Sequence, residues 1–161
     1  MIVVLMGVTG SGKTTVGRVL ANQLGWKFCD ADDYQPAANI EKMRLGIALT
    51  DEDRKPWLQA LAKLIDDARD RGENIVLACS ALKHAYQEYL RHHLDVVRYV
   101  CLCGPPEVIQ KRLASRTGHF MTPALLPSQF EILEPPEDAI RVGVTGTPED
   151  IAGEIRRRLG L

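Results

Sequence analysis

The chain has 161 residues, of which 45% are hydrophobic and 25% charged, and its formal net charge is −1. That length suits a single domain with a core of its own, and the composition is that of an ordinary soluble globule. The near-zero charge excludes a global field for nucleic acid or anionic membrane, so any anion site has to be a local concentration of cations. No apolar run approaches the ~18 residues of a membrane span. No basic region precedes an apolar stretch at the N-terminus. The expectation is a cytoplasmic protein without a nucleic-acid or membrane partner.

The first predicted element is a strand over Ile2-Val3-Val4-Leu5-Met6. Gly7-Val8-Thr9-Gly10-Ser11-Gly12-Lys13-Thr14 follows it, and a helix is predicted over Lys13–Leu24. The loop fits G-x-x-x-x-G-K-[ST], the phosphate-binding P-loop, in the strand–loop–helix setting that the motif requires. Its glycines let backbone N–H groups turn inward and approach phosphate oxygens. The helix N-terminus adds unpaired donors and a partial positive charge. Lys13 has the reach for the β and γ phosphates, and the Thr14 hydroxyl suits Mg²⁺. This loop is read as the binding site of a nucleoside triphosphate.

A second strand, Trp26–Cys29, runs into Asp30-Ala31-Asp32-Asp33. If the strand persists, Asp30 and Asp32 point the same way, because side-chain direction repeats every two residues. In an open parallel sheet ligands sit at the carboxyl ends of the strands, beside the P-loop. Asp32 is assigned as the base or orienter of an acceptor hydroxyl. Asp30 is assigned to the groups behind the Mg²⁺ ligands, and Asp33 to capping the next segment. Helices over Pro36–Leu45 and Asp53–Arg71 carry Lys42 and Arg54, candidate cations for the acceptor. A strand over Asn74–Cys79 leads to a helix over Leu82–His93, with Lys83 at its start.

A further strand, Val96–Cys103, places Cys101 and Cys103 on one face. With Cys29 and Cys79 they read as buried, reduced thiols acting as small hydrophobes. The helix Pro106–Ser115 brings Arg112, and Arg116 four residues later falls on the same helical face. Arginine suits phosphate because its planar fork donates two hydrogen bonds at once. From about 117 to 136 there is little periodicity and there are four prolines, yet Phe120, Leu126 and Phe130 can pack. This stretch is read as a lid over the phosphates, with His119 in it. A strand over Ile140–Val144 and a helix over Pro148–Leu159 close the chain, the latter capped by Thr147 with Asp150 completing the box. Apolar strands alternating with helices imply an α/β domain spanning residues 1–161, with a parallel sheet covered on both faces.

Five segments together resemble one family, the gluconokinases of the P-loop kind. They are Gly7–Thr15; Asp30-Ala31-Asp32-Asp33-Tyr34-Gln35-Pro36 with Asn39–Met43; Leu49–Leu58; Ala78–Lys83 with Tyr86; and Arg116–Met121 with Ser128–Glu131 and Leu133–Pro135. The resemblance covers nearly the whole chain. It implies a three-layer P-loop kinase fold with a five-stranded parallel sheet and a lid. It also implies phosphorylation of D-gluconate at O6 by ATP with Mg²⁺, and a homodimer. Carried onto this sequence, nucleotide binding extends through Thr15 and includes Arg112. Catalysis falls to Lys13, Asp32 and Arg116. The gluconate set becomes Asp32, Gln35, Lys42, Arg54, Lys83 and His119. Gln35 is a departure, because the family usually has His there; Gln keeps a hydrogen bond but carries no charge. Two other readings stand beside this one. The first is a kinase of another small hydroxy acid, such as shikimate or a different aldonate. The second is a nucleotide-dependent switch without transfer, although the guanine-recognition sequence Asn-Lys-x-Asp is absent from the chain.

Overall fold

The run Ile2–Met6 forms β1, the central strand, and all of its side chains are buried. The computed structural model describes residues 1–92, 96–117 and 123–161. Among these residues the sheet has five strands in the order β2-β3-β1-β4-β5. The others are β2 (Lys27–Asp30), β3 (Ile75–Ala78), β4 (Val97–Cys103) and β5 (Ile140–Gly143), and every pairing is parallel. The helices are α1 (Lys13–Leu24), α2 (Ala37–Arg44), α3 (Asp51–Asp70), α4 (His84–Leu90), α5 (Pro106–Ala114), α6 (Leu126–Ile132) and α7 (Pro148–Leu159).

Strand periodicity divides the core into two layers. Ile2, Val4 and Met6 face Trp57, Leu61 and Ile65 of α3 and Leu90 of α4. Val3 and Leu5, one residue out of step, face Val16 and Leu20 of α1 and Ile151 and Ile155 of α7. This is the three-layer α/β architecture expected from the alternation of elements. A third cluster, Val8, Leu82, Ile109, Leu113 and Leu126, packs beneath the P-loop, away from the sheet. No helix among the described residues is long and apolar enough to cross a membrane.

The predicted and observed element ends differ where distant contacts decide. The helix α1 ends as its sequence demands: Gly25 takes a left-handed φ of 67° and its N–H bonds back to Ala21 and Asn22. The helix α3 begins two residues earlier than expected. Thr50 caps it and shares a reciprocal box with Asp53, so Asp53 is its third residue and not its first. The helix α4 is shorter than the expected 82–93. Ala81 holds a positive φ of 41°, Lys83 is extended, and Glu134 N–H takes the Leu82 carbonyl at 2.7 Å. Residues 126–132 are helical, although the four prolines between 117 and 136 suggest irregular chain; only Pro127 falls in this helix, in its first turn. Leu126 supports that helix by packing into the third cluster, with Phe130 against it.

Lys42 belongs to this framework. Its ammonium bonds both oxygens of Asp53 at 2.9 Å, tying α2 to the start of α3. That bond, with the Thr50 N–H, holds the Asp53 carboxyl at about 2 against an ordinary 3.8. The folded value lies below the unfolded one. The contribution is therefore full above about pH 4 and lost as pH falls through about 2. Lys42→Met should lower the thermal midpoint at neutral pH and leave it unchanged near pH 2. Equal losses at both pH values would assign the effect to packing instead.

Candidate active site

The P-loop leaves the carboxyl end of β1 and turns into α1. Gly7 sits at φ 143°, and a Cβ there would lie 2.8 Å from the Leu102 carbonyl oxygen. Gly10 sits at φ 79°, where a Cβ would come within 2.7 Å of Leu113 Cγ. Side chains at either position would force the loop off the sheet and off α5. Above the loop lies a cleft of about 500 Å³. Thr9, Gly10, Gly12, Lys13, Thr14 and Thr15 line its floor, whereas Val8 and Ser11 are buried within the loop.

Lys13 donates to the carbonyls of Gly7 and Val8 at 3.0 and 2.9 Å. Burial lowers its pKa, and the neighbouring carboxylates of Asp32 and Asp30 oppose that shift. Thr14 Oγ1 donates to Asp30 Oδ2 at 2.7 Å. A hydroxyl and a carboxylate side by side at the helix N-terminus are hard oxygen donors of the kind Mg²⁺ takes, directly or through water. The donor set of this loop therefore fits a Mg²⁺-bound polyphosphate.

The acidic segment does not remain a strand. It ends at Asp30 and turns through a 3-10 helix, Ala31–Tyr34, because the Asp30 carboxylate accepts the Asp32 N–H at 3.0 Å. Asp33, expected to cap the next segment, lies inside this turn, and α2 begins after Pro36 without a side-chain cap. The common direction expected of Asp30 and Asp32 had assumed an unbroken strand. The turn, not strand periodicity, brings both to the cleft wall. Trp57 holds the turn from behind, its indole N–H donating to the Ala31 carbonyl at 2.7 Å. Trp57 also lines the cleft.

Gln35, Arg54 and Lys83 line the cleft wall with Asp32. Gln35 Oε1 accepts from Asn39 at 3.0 Å. Arg54 and Lys83 lie over the ring of Tyr86, each within 6 Å of its centroid. The Tyr86 hydroxyl accepts from Arg54 at 3.1 Å and donates to Asp51. Lys83 bonds the same carboxylate at 2.8 Å. The Lys83 bond, then that of Tyr86, holds Asp51 below the usual carboxylate range. Burial keeps the Tyr86 phenol protonated. Two cations and one anion are thus assembled around a single buried ring. Lys42, the other predicted acceptor cation, does not line the cleft; Asp53 holds it elsewhere. His119 lies outside the described residues.

Arg112 and Arg116 reach the cleft from α5 and the turn after it. The helix ends at Ala114, so Arg116 follows its last turn and does not extend the helical face of Arg112. The two guanidiniums differ in surroundings. Arg112 donates to the Val144 carbonyl at 2.5 Å, joining α5 to the loop before α7. Arg116 is close enough to Lys13 to lower its pKa further. Gln129 of α6 also lines the cleft and accepts the Thr9 N–H at 2.6 Å. Reasoning from the sequence had given no role to Trp57, Tyr86 or Gln129. All three fall in the segments that carry the family resemblance, but their partners lie 26 to 120 residues away, so the segments alone do not show what they hold.

Comparisons with known proteins agree with this geometry. A family model described as shikimate kinase matches residues 9–131. The gluconokinase of Gluconobacter oxydans (strain 621H) is 43% identical over 157 residues, which cover 96% of this chain and 88% of that protein. A solved sugar kinase from Janibacter sp. HTCC2649 superposes with a TM-score of 0.91 at 41% identity, covering 99% of this chain and 94% of its own. A solved gluconokinase from Sinorhizobium meliloti 1021 gives 0.83 at 37%, with coverages of 98% and 94%. Because relatives at 37% and 43% identity cover nearly the whole chain, the chain belongs to the gluconokinase family of P-loop kinases.

Proposed function

We propose that this protein transfers the γ-phosphoryl group of ATP to O6 of D-gluconate, giving 6-phosphogluconate and ADP. One observation carries the reading: a single cleft joins a P-loop, a carboxylate at its edge and a pair of cations on the facing wall. The first group suits a nucleotide, the second a hydroxyl and the third the carboxylate of a small acid. The relatives that match over nearly the whole chain are gluconokinases.

In the proposed reaction Asp32 receives the O6 proton as O6 attacks the γ-phosphorus. The bond from that phosphorus to the β,γ-bridging oxygen breaks, and ADP leaves with the electron pair. Lys13 and Arg116 meet the charge that develops on the transferred group. Thr14 would hold Mg²⁺, with Asp30 behind it bonded to the Thr14 hydroxyl, and the ion would supply positive charge against the polyphosphate. Arg112 is assigned to the nucleotide, beside the loop that begins at Val144. Arg54 and Lys83 hold the gluconate carboxylate, and Gln35 bonds a hydroxyl or the carboxylate rim. The lid, a homodimer and a cytoplasmic location complete the proposal, on the family resemblance alone.

Incubation with Mg·ATP and D-gluconate, followed by ³¹P NMR, tests the regiochemistry. A phosphate ester at C6 couples to two protons on one carbon. An ester coupled to a single proton would move the site of transfer to a secondary hydroxyl.

Tyr86 gives a sharper check of the acceptor wall. Its hydroxyl bonds two charged groups, and such bonds are worth ~1.5–3 kcal/mol. Tyr86→Phe should raise the KM for gluconate by about tenfold or more and leave the KM for ATP unchanged. Equal rises in both would place Tyr86 in general stability and not in acceptor binding.

A further inference from the structure

Within the P-loop, Lys13 Nζ holds the Gly7 and Val8 carbonyls at 3.0 and 2.9 Å. Gly7 N–H has only a long contact with the Ser80 carbonyl, at 3.5 Å. Within the loop, Ser11 N–H reaches back to the Val8 carbonyl at 3.2 Å. Thr9 is buried, and a buried N–H left without a partner would be costly. Its partner comes from the far end of the chain, where Gln129 Oε1 accepts it at 2.6 Å across 120 residues of sequence. Gln129 is itself only 8% exposed and lines the cleft.

Gln129 is well held. Its helix α6 packs Leu126 against Val8, Leu82, Ile109 and Leu113, so the same helix touches the loop's side chain and its backbone. After α6 the chain is pinned again: Glu134 N–H bonds the Leu82 carbonyl, and Gln87 donates to the Glu134 carbonyl at 2.7 Å. Thus α6 is seated on the P-loop on one side and on the turn after β3 on the other. Both loops carry cleft residues, Lys13 on one and Lys83 on the other.

We propose that Gln129 is a positioning residue for phosphoryl transfer. It fixes the crest of the P-loop through the Thr9 N–H and so couples the seating of α6 to the placement of the γ-phosphate. The proposal rests on the kinase reading but not on the identity of the acceptor. Phosphoryl transfer depends on near-attack geometry, and an error of about 1 Å costs on the order of 10²-fold in rate. The Thr9 N–H, held from outside the loop by the Gln129 oxygen, is a place where such an error can arise.

Two variants separate positioning from mere support. Gln129→Met keeps the length and apolar stem and removes the acceptor; Gln129→Glu keeps an oxygen for the Thr9 N–H. For both, kcat, the two KM values and the thermal midpoint are measured, together with the ¹H–¹⁵N resonance and solvent exchange of Thr9. Gln129→Met should lower kcat by about 10²-fold with little change in KM for ATP, and its thermal midpoint should fall but stay above the assay temperature, so that the protein assayed is folded. Its Thr9 amide should shift and exchange faster, and Gln129→Glu should recover the resonance and most of the rate. Wild-type kcat in Gln129→Met with the Thr9 bond lost would overturn the proposal. So would a rate loss matched by a loss of folded protein. If the unaltered protein proves inactive on gluconate, that sinks the acceptor assignment alone. Slow ATP hydrolysis without acceptor, read on the same variants and judged by the same criteria, then decides the role of Gln129.

Discussion

Arg116→Ala should lower kcat by about 10³–10⁵-fold, the range of arginines that meet charge on a transferring phosphoryl group, and should leave ATP binding nearly intact. Arg116 lines the same cleft as Lys13, beyond the last turn of α5, and its charge adds to the lowering of the Lys13 pKa that burial causes. Both cations are placed to meet anionic charge in the cleft. Interactions that strengthen as charge develops raise kcat and not affinity. Arg112 differs, because its guanidinium is already committed to the Val144 carbonyl. Arg112→Ala therefore weakens ATP binding more than turnover. A pure rise in KM for ATP in Arg116→Ala would reassign that residue to binding.

Asp32→Asn lowers kcat by about 10²–10⁴-fold, the usual worth of a positioned general base. The substitution keeps the shape of the side chain and removes its ability to accept a proton. The turn that carries Asp32 should survive. It is held by the Asp30 carboxylate at the Asp32 backbone N–H and by the Trp57 indole at the Ala31 carbonyl, and neither contact uses the Asp32 side chain. The KM for ATP should stay within a few-fold of the unaltered protein. Near-normal turnover would remove Asp32 from proton transfer and leave it as an orienter at most.

What the sequence made legible was local. The P-loop could be read because its dihedral needs are met by glycines in place and its charge by the helix that follows. The ends of α1 and α7 could be read because Gly25, Thr147 and Asp150 act on neighbours within one turn. The acidic turn was half legible: Asp30 and Asp32 were placed at the cleft, but through a strand that in fact stops at Asp30. What could not be read was decided across the chain. Lys42 looked like a cation for the acceptor until Asp53, eleven residues away, claimed it. The helix α6 looked irregular because prolines flank it, whereas Pro127 sits in its first turn and packing of Leu126 in the cluster with Val8 and Leu82 supports it. Tyr86 gathers Arg54 and Asp51 from more than thirty residues upstream, and no spacing rule announces such a group.

The central claim is that one cleft holds Mg·ATP and a small hydroxy acid for direct transfer. Coupled ADP release with D-gluconate, run beside shikimate, other aldonates and no acceptor, tests it most directly. The account predicts saturable turnover with D-gluconate, with micromolar to millimolar KM, and only slow background release with shikimate or without acceptor. Turnover on shikimate or another acid with none on gluconate would contradict the assignment of the acceptor wall. Acceptor-independent ADP release at the same rate as with gluconate would contradict the kinase itself.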